Sequence, residues 1–233
     1  MVFAAVLAGG TGRRMQTENE LPKQFLPLNN KPVLVYSLEC FLKCPDIDKI
    51  YLAAPDGWME YTETLLKEFG ASGEIELVSG GDTRNASIMN VISVVESEFG
   101  CGDEHILVTH DAARPFVSLE MINDNVDAAL QYGAAGTVLP AVDTMLISNG
   151  GDFILSVPDR ESVYHSQTPQ SFCIKEFKRI FEKLSDTEKE KMTDACKICV
   201  SGGMKVKMVL GSPSNFKITT AGDYEHAKTM VKK

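Results

Sequence analysis

The sequence predicts an α/β protein with a mostly parallel sheet covered by helices on both faces. Three observations lead there. Apolar runs of strand length alternate with longer helical patterns at the spacing of βα units. The first run, Val2-Phe3-Ala4-Ala5-Val6-Leu7, is apolar throughout, as a strand covered on both faces must be. Finally, three strands end in polar or glycine-rich turns, at Gly9, Gly80 and Asp111. In open parallel sheets ligands bind at the carboxyl ends of the strands, so these turns are expected to converge on one pocket.

Taken in order, Val2–Leu7 leads into Ala8-Gly9-Gly10-Thr11-Gly12, and residues 24–28 and 31–33 return the chain to the core. Pro32 opens a helix over Val33–Lys43, which Cys44-Pro45-Asp46 stops. Lys49–Ala54 is the second strand and Trp58–Gly70 the second helix; Ile75–Val78 is a strand, Ala86–Phe99 a helix and His105–His110 a strand. Leu119–Tyr132 reads as helix and Ala134–Leu139 as extended. From about 140 to 170 the alternation breaks. Val142–Ile147, a turn at Asn149-Gly150, and Phe153–Leu155 predict a projecting β-hairpin arm whose apolar side needs a partner. Lys175–Leu184 is a helix, Ser185–Lys191 a charged, mobile connection, and Ala195–Ser201 a helix ended by Gly202-Gly203. Lys205–Leu210 is a strand, Asn215–Thr219 a strand-like segment, and Ala221–Val231 the last helix.

At 233 residues, 44% of them hydrophobic, the chain is expected to form a single domain over 1–233 with a sizeable core. Its 23 Lys and Arg against 32 Asp and Glu leave a net charge of −9, which argues against a nucleic-acid polymer but not against a nucleotide in a local positive pocket. Cys40, Cys44, Cys101, Cys173, Cys196 and Cys199 form no secreted framework; Cys196-x-x-Cys199 lacks a second pair and reads as buried helix thiols in a reducing cytoplasm. The N-terminal apolar run is too short and lacks the basic flank of a signal peptide, and no run approaches the roughly 20 residues of a membrane helix. A cytoplasmic protein without a membrane partner is expected.

The glycines at 9, 10 and 12 let the backbone approach a ligand closely, and exposed amides in such a turn suit a triphosphate. Arg14 and Lys23 add full positive charge where a phosphoryl group would change hands. The loop is neither a P-loop, since no Lys-Ser or Lys-Thr follows, nor a dinucleotide fingerprint, since no third glycine falls at its spacing. Gly80-Gly81-Asp82-x-Arg84-x-x-Ser87 repeats the device after another strand, with a hydroxyl near a helix start. In His110-Asp111-Ala112-Ala113-Arg114-Pro115, Asp111 at a strand end is placed to hold magnesium against triphosphate oxygens. Arg114 is better placed to brace that loop or pair with Asp111. Arg160 has the guanidinium fork that suits an acceptor phosphate, and Lys217, flanked by apolar residues, offers another cation. Asp143-Thr144, Gln167-Thr168-Pro169-Gln170 and Thr193-Asp194-Ala195 complete the candidates.

The string Leu7-Ala8-Gly9-Gly10-x-Gly12-x-Arg14-Met15, followed by Pro22-Lys23-Gln24, resembles the N-terminal signature of nucleotidyltransferases that activate sugars and polyols. With the two later motifs it is similar to the polyol-phosphate cytidylyltransferases across nearly the whole chain. The resemblance implies a Rossmann-like nucleotidyltransferase sheet, CTP and a polyol phosphate as substrates, Mg2+ as cofactor, and a homodimer through the arm. It also implies residue roles. Leu7, Ala8, Gly9, Gly10, Thr11, Gly12, Arg14 and Lys23 would bind nucleotide, together with Gly80, Gly81, Asp82, Arg84, Ser87, Asp111, Ala112 and Arg114. Arg14, Lys23, Arg160 and Lys217 would be catalytic, Asp111 the metal ligand. Asp143, Thr144, Arg160, Gln167, Thr193, Asp194 and Lys217 would meet the acceptor, Arg160 from the partner subunit.

Two acceptors compete. Thr193-Asp194-Ala195-Cys196-Lys197-Ile198 resembles the ribitol-phosphate branch, so transfer of CMP from CTP to ribitol 5-phosphate, which would supply CDP-ribitol for surface polymers such as teichoic acid, is the first expectation. The spelling of residues 110–115 is methylerythritol-like, which keeps 2-C-methyl-D-erythritol 4-phosphate and isoprenoid synthesis as the alternative. A non-catalytic nucleotide sensor would not need Arg160 and Lys217. An NAD-dependent dehydrogenase would need an acid closing the second strand, which only Asp56 approaches.

Overall fold

A computed structural model describes residues 1–9 and 21–231. Its strands are β1 (Val2–Leu7), β2 (Pro27–Leu28), β3 (Lys31–Pro32), β4 (Lys49–Ala54), β5 (Ile75–Ser79), β6 (Ile106–Asp111), β7 (Ala134–Pro140), β8 (Tyr164–Cys173) and β9 (Lys207–Leu210). Its helices are α1 (Val33–Phe41), α2 (Met59–Glu68), α3 (Arg84–Phe99), α4 (Leu119–Tyr132), α5 (Ile174–Lys183), α6 (Asp186–Lys191), α7 (Ala195–Ser201) and α8 (Ala221–Met230). A seven-stranded sheet runs in the order β5-β4-β1-β6-β8-β7-β9, with β8 antiparallel to both neighbours and the other pairings parallel. The mostly parallel α/β architecture expected from the alternation is therefore present.

β1, third of the seven strands, divides the core by its own alternation. Val2, Ala4, Val6 and Ala8 face a layer formed with α1, α2 and α4, while Phe3, Ala5 and Leu7 face one formed with α3, α5 and α7. Each fully buried Phe or Ile in these layers contributes roughly 1.5–3 kcal/mol of transfer free energy. Helix starts follow local chemistry: Thr83 accepts from the Ala86 amide at 3.0 Å at the head of α3, and Ser118 from the Met121 amide at 3.2 Å at the head of α4. Gly133, at φ +83°, closes α4 in the left-handed region that glycine enters without strain.

Four expectations are corrected. Residues 185–191 are not a loose connection: Ser185 and Glu188 form a capping box that starts α6. Asn215–Thr219 is no strand, its backbone being held instead by Ile218 N donating to Ala113 O at 2.9 Å. The arm, 141–163, is a hairpin with shorter pairing than expected: one antiparallel bridge joins Ile147 to Ser156, and Val142, Leu146, Phe153 and Ile154 are exposed. β8 was not anticipated as a strand at all. It is the inner antiparallel strand, and Pro169 sits in it where the register slips opposite Gly136 and Val138. Among the described residues no helix is long and apolar enough to cross a membrane.

Candidate active site

The chain runs from β1 to β4 and β5 on one side and returns to β6 on the other, so the strand order reverses between β1 and β6. At that point, outside the carboxyl ends of β1, β4, β5 and β6, lies a cleft of about 780 Å³. The three turns predicted to converge do so there: Leu7, Ala8 and Gly9, then Gly80, Gly81, Asp82, Arg84 and Ser87, then Asp111 and Ala112 all line it, together with Lys23 and Lys217. Gly10, Thr11, Gly12 and Arg14 lie outside the described residues.

Lys23 opens a short 3-10 turn, Lys23–Phe25, tied to the end of β1 by Gln24, whose side-chain amide donates to Ala8 O at 2.5 Å. Lys23 Nζ reaches across to Ile218 O at 2.8 Å. The second glycine turn is as tightly built. A Cβ on Gly81 would stand 2.3 Å from Ala86 Cβ, and one on Gly9 3.2 Å from Ser87 Oγ. Ser87 Oγ accepts from Gly81 N at 3.0 Å and donates to Thr83 O at 3.1 Å, so this buried hydroxyl holds the turn.

Asp111 is the electrostatic centre. Arg84 Nε lies 3.0 Å from Oδ1 and Lys217 Nζ 2.8 Å from Oδ2, with Arg114 Nε 3.9 Å away. Burial alone would raise the Asp111 carboxyl; the charges of Arg84, Lys217 and Arg114 overcome it and hold the group far below the usual carboxylate range. Arg114 itself is buried and does not line the cleft: it donates to Asn215 O at 2.8 Å and Ser166 O at 3.4 Å, bracing the loop. Lys217 is aimed by its neighbours, since Asn215 donates to Thr168 O at 2.8 Å and to Gln167 Oε1 at 3.1 Å. Asp111 offers one hard carboxylate at the cleft floor, and among the described residues no group of three or more metal-ligating side chains stands near it. That donor set fits magnesium arriving on triphosphate oxygens, which needs only one or two carboxylates from protein.

The remaining acceptor candidates are not brought to this cleft. Asp143, Thr144 and Arg160 are exposed on the arm, with Arg160 Nη1 donating to Val142 O at 3.2 Å. Gln167 is buried and donates to Ser212 O at 2.9 Å. Asp194 caps α7 through the Lys197 amide and accepts from Ser166 Oγ at 2.9 Å and Gln170 Nε2 at 2.6 Å, while Thr193 is exposed beside it. Gln24, Pro55, Asp56, Thr83, Ala113 and Thr219 also line the cleft and were not singled out as site residues. Gln24 and Thr219 adjoin Lys23 and lie near Lys217, and Asp56 follows a strand end; those positions were the available signal.

With the geometry described, comparison with known proteins gives a consistent result. The family described as IspD: 2-C-methyl-D-erythritol 4-phosphate cytidylyltransferase matches residues 2–233. Among solved structures, the chain is similar to the 2-C-methyl-D-erythritol 4-phosphate cytidylyltransferase of Francisella tularensis, at 26% identity and a TM-score of 0.79, covering 99% of each chain. It is similar to that of Thermus thermophilus at 25% identity and a TM-score of 0.74, covering 99% of this chain and 98% of the other. The fold is also that of 4-diphosphocytidyl-2C-methyl-D-erythritol synthase from Anaerococcus prevotii, with a TM-score of 0.83 at 24% identity, covering 100% of this chain and 96% of that one.

Proposed function

The chain belongs to the IspD family of 2-C-methyl-D-erythritol 4-phosphate cytidylyltransferases, and on that premise we propose that it transfers CMP from CTP to 2-C-methyl-D-erythritol 4-phosphate, releasing pyrophosphate. The observation that carries this reading is the family match over residues 2–233. It supports the methylerythritol acceptor over the ribitol 5-phosphate that Thr193–Ile198 suggested.

The acceptor phosphate is an anion at pH 7, so the nucleophile gives up no proton. The obstacle is charge: one anion must meet another, and negative charge builds on the phosphorus. The cleft answers with Lys23, Lys217 and Arg84 converging on it. Arg14, from the N-terminal glycine motif, would add a fourth cation. Asp111 would hold Mg2+ carried by the triphosphate, and that ion supplies charge neutralisation. Incoming phosphates would draw Lys217 and Arg84 away from Asp111, so the carboxylate keeps both cations in place until nucleotide arrives. Gly81 and Ser87, which bond to each other in the cleft wall, would face the cytosine base.

The acceptor residues of the arm, Asp143, Thr144 and Arg160, would serve the cleft of a second subunit. The arm supports a homodimer by its exposed apolar residues, with Val142 77% and Phe153 82% accessible. The deciding experiment is pyrophosphate release from CTP and magnesium with either acceptor in parallel. Turnover with methylerythritol 4-phosphate alone is expected; turnover with ribitol 5-phosphate alone would restore the ribitol reading.

A further inference from the structure

His110 is a fully buried histidine that the mechanism leaves unused. It is 0% exposed, does not line the cleft, and packs 5.3 Å from the Phe41 ring. Its partner Thr168, 3% exposed, comes from β8, 58 residues away. One hydrogen bond joins the two residues to each other, and two more join them to the turn that presents Asp111. The Asp111 amide and Thr168 Oγ1 are 3.1 Å apart, Thr168 Oγ1 and His110 Nδ1 3.0 Å, and His110 Nε2 and Arg114 O 3.2 Å.

Hydrogen positions follow by elimination. A backbone amide only donates and a carbonyl only accepts. The Asp111 amide therefore donates to Thr168, and Arg114 O accepts from His110 Nε2–H. In the neutral ring that leaves Nδ1 bare, so the Thr168 hydroxyl donates to it. All three bonds hold together with one tautomer of an uncharged imidazole. The chain of bonds grips both ends of the 111–114 turn: the amide of Asp111 and the carbonyl of Arg114. Asp111 then meets Arg84 and Lys217, and Arg114 holds Asn215, two residues before Lys217.

We propose that His110 and Thr168 are a positioning pair for nucleotidyl transfer, a neutral relay that fixes the Asp111–Arg114 turn and through it the placement of Lys217 over the reacting phosphates. The inference rests on the cytidylyltransferase reading. Neither residue lines the cleft. A buried hydroxyl and imidazole are costly unless paired, and here each pairs with the other and with this one turn.

Two measurements test it. In the first, kcat and KM for CTP are compared for wild type, Thr168→Val and Thr168→Ser, with thermal unfolding of each. Losing the relay hydroxyl is expected to lower kcat about ten- to hundredfold with KM within about threefold, the signature of a displaced group rather than lost binding, and Thr168→Ser to restore most of it. A Thr168→Val enzyme with wild-type kcat, or a Thr168→Ser enzyme no better than Thr168→Val, would overturn the proposal. In the second, 15N spectra of the unliganded wild-type protein report the ring directly. A bare Nδ1 and protonated Nε2 at His110 are expected; the opposite tautomer overturns the relay even if Thr168→Val proves unstable. Because the spectrum needs no substrate, a wild type that releases no pyrophosphate would defeat the reaction reading alone.

Discussion

Lys217 Nζ stands 2.8 Å from Asp111 Oδ2, although 106 residues separate the two in the chain. The pair closes the floor of the cleft and ties the segment after β9 to the end of β6. Arg84, from the start of α3, shares the same carboxylate, so three separate stretches meet at one charge. Because the Asp111 side chain is only 11% accessible and that of Lys217 35%, the cluster is shielded on one side and open to the cleft on the other.

Lys23 should matter to rate more than to folding. Lys23→Ala is expected to lower kcat by about 10²–10³, the range for removing one preorganised charge contact. Its bond to Ile218 O is also lost, so thermal unfolding should be followed in parallel; near-normal turnover would remove Lys23 from the mechanism.

Stability should fall on mild acidification, measured without nucleotide or metal. Burial lowers the His110 pKa from 6.5 to about 4, with Asp111, Arg114 and Arg84 the charged groups around it. The unfolded chain takes up this proton first. The associated stability is therefore complete above about pH 6.5 and is lost as pH falls towards 4, by about 3 kcal/mol over the window. Asp111 acts in the same direction lower down, beginning below the ordinary carboxylate pKa of about 3.9. Urea unfolding at a series of pH values should show the upper slope in wild type and its absence in His110→Asn.

Gly81→Ala should damage the nucleotide turn specifically. The new methyl meets Ala86 Cβ at 2.3 Å and backbone of Ala86 at 2.8 Å, so the turn or the head of α3 must move. A destabilisation of about 1–3 kcal/mol is expected, with weaker CTP binding by calorimetry.

Phe153→Asp addresses the arm. Phe153 is 82% exposed, so within one subunit the change should cost no more than about 0.5 kcal/mol. On the proposed arm-mediated dimer, sedimentation should nevertheless shift from dimer to monomer, and acceptor turnover should drop as the proposed contribution of Arg160 across the interface is lost. A dimer unchanged in mass would place the interface elsewhere.

The parts of the fold legible in the sequence were those written by local pattern. The uniform apolarity of Val2–Leu7 marked an inner strand, and the helical reading of Leu119–Tyr132 coincides with α4. β8 was hidden because Gln167, Thr168, Pro169 and Gln170 look like a polar loop; their burial is made tolerable by side-chain bonds to distant residues such as Asn215 and Asp194. The same holds for the site. Asp111, Lys217 and Arg84 could each be suspected from its motif, but their shared ion pair depends on strand order and not on spacing. Gln167 and Asp194 illustrate the converse: polar residues in a suggestive motif that bond to other parts of the protein and do not line the cleft.

The arm leaves β7 at Pro140 and returns to β8 at Tyr164, and these two residues are direct partners across the sheet, with Ala141 N bonded to Val163 O at 2.9 Å just beyond. The excursion is thus clasped at its base like a pendant on a closed ring. Residues 142–162 could lengthen, shorten or change composition without disturbing the register of the strands beneath. A change of length or sequence in the arm would accordingly alter the surface proposed to meet a second subunit and leave the charge cluster at the end of β6 as it is.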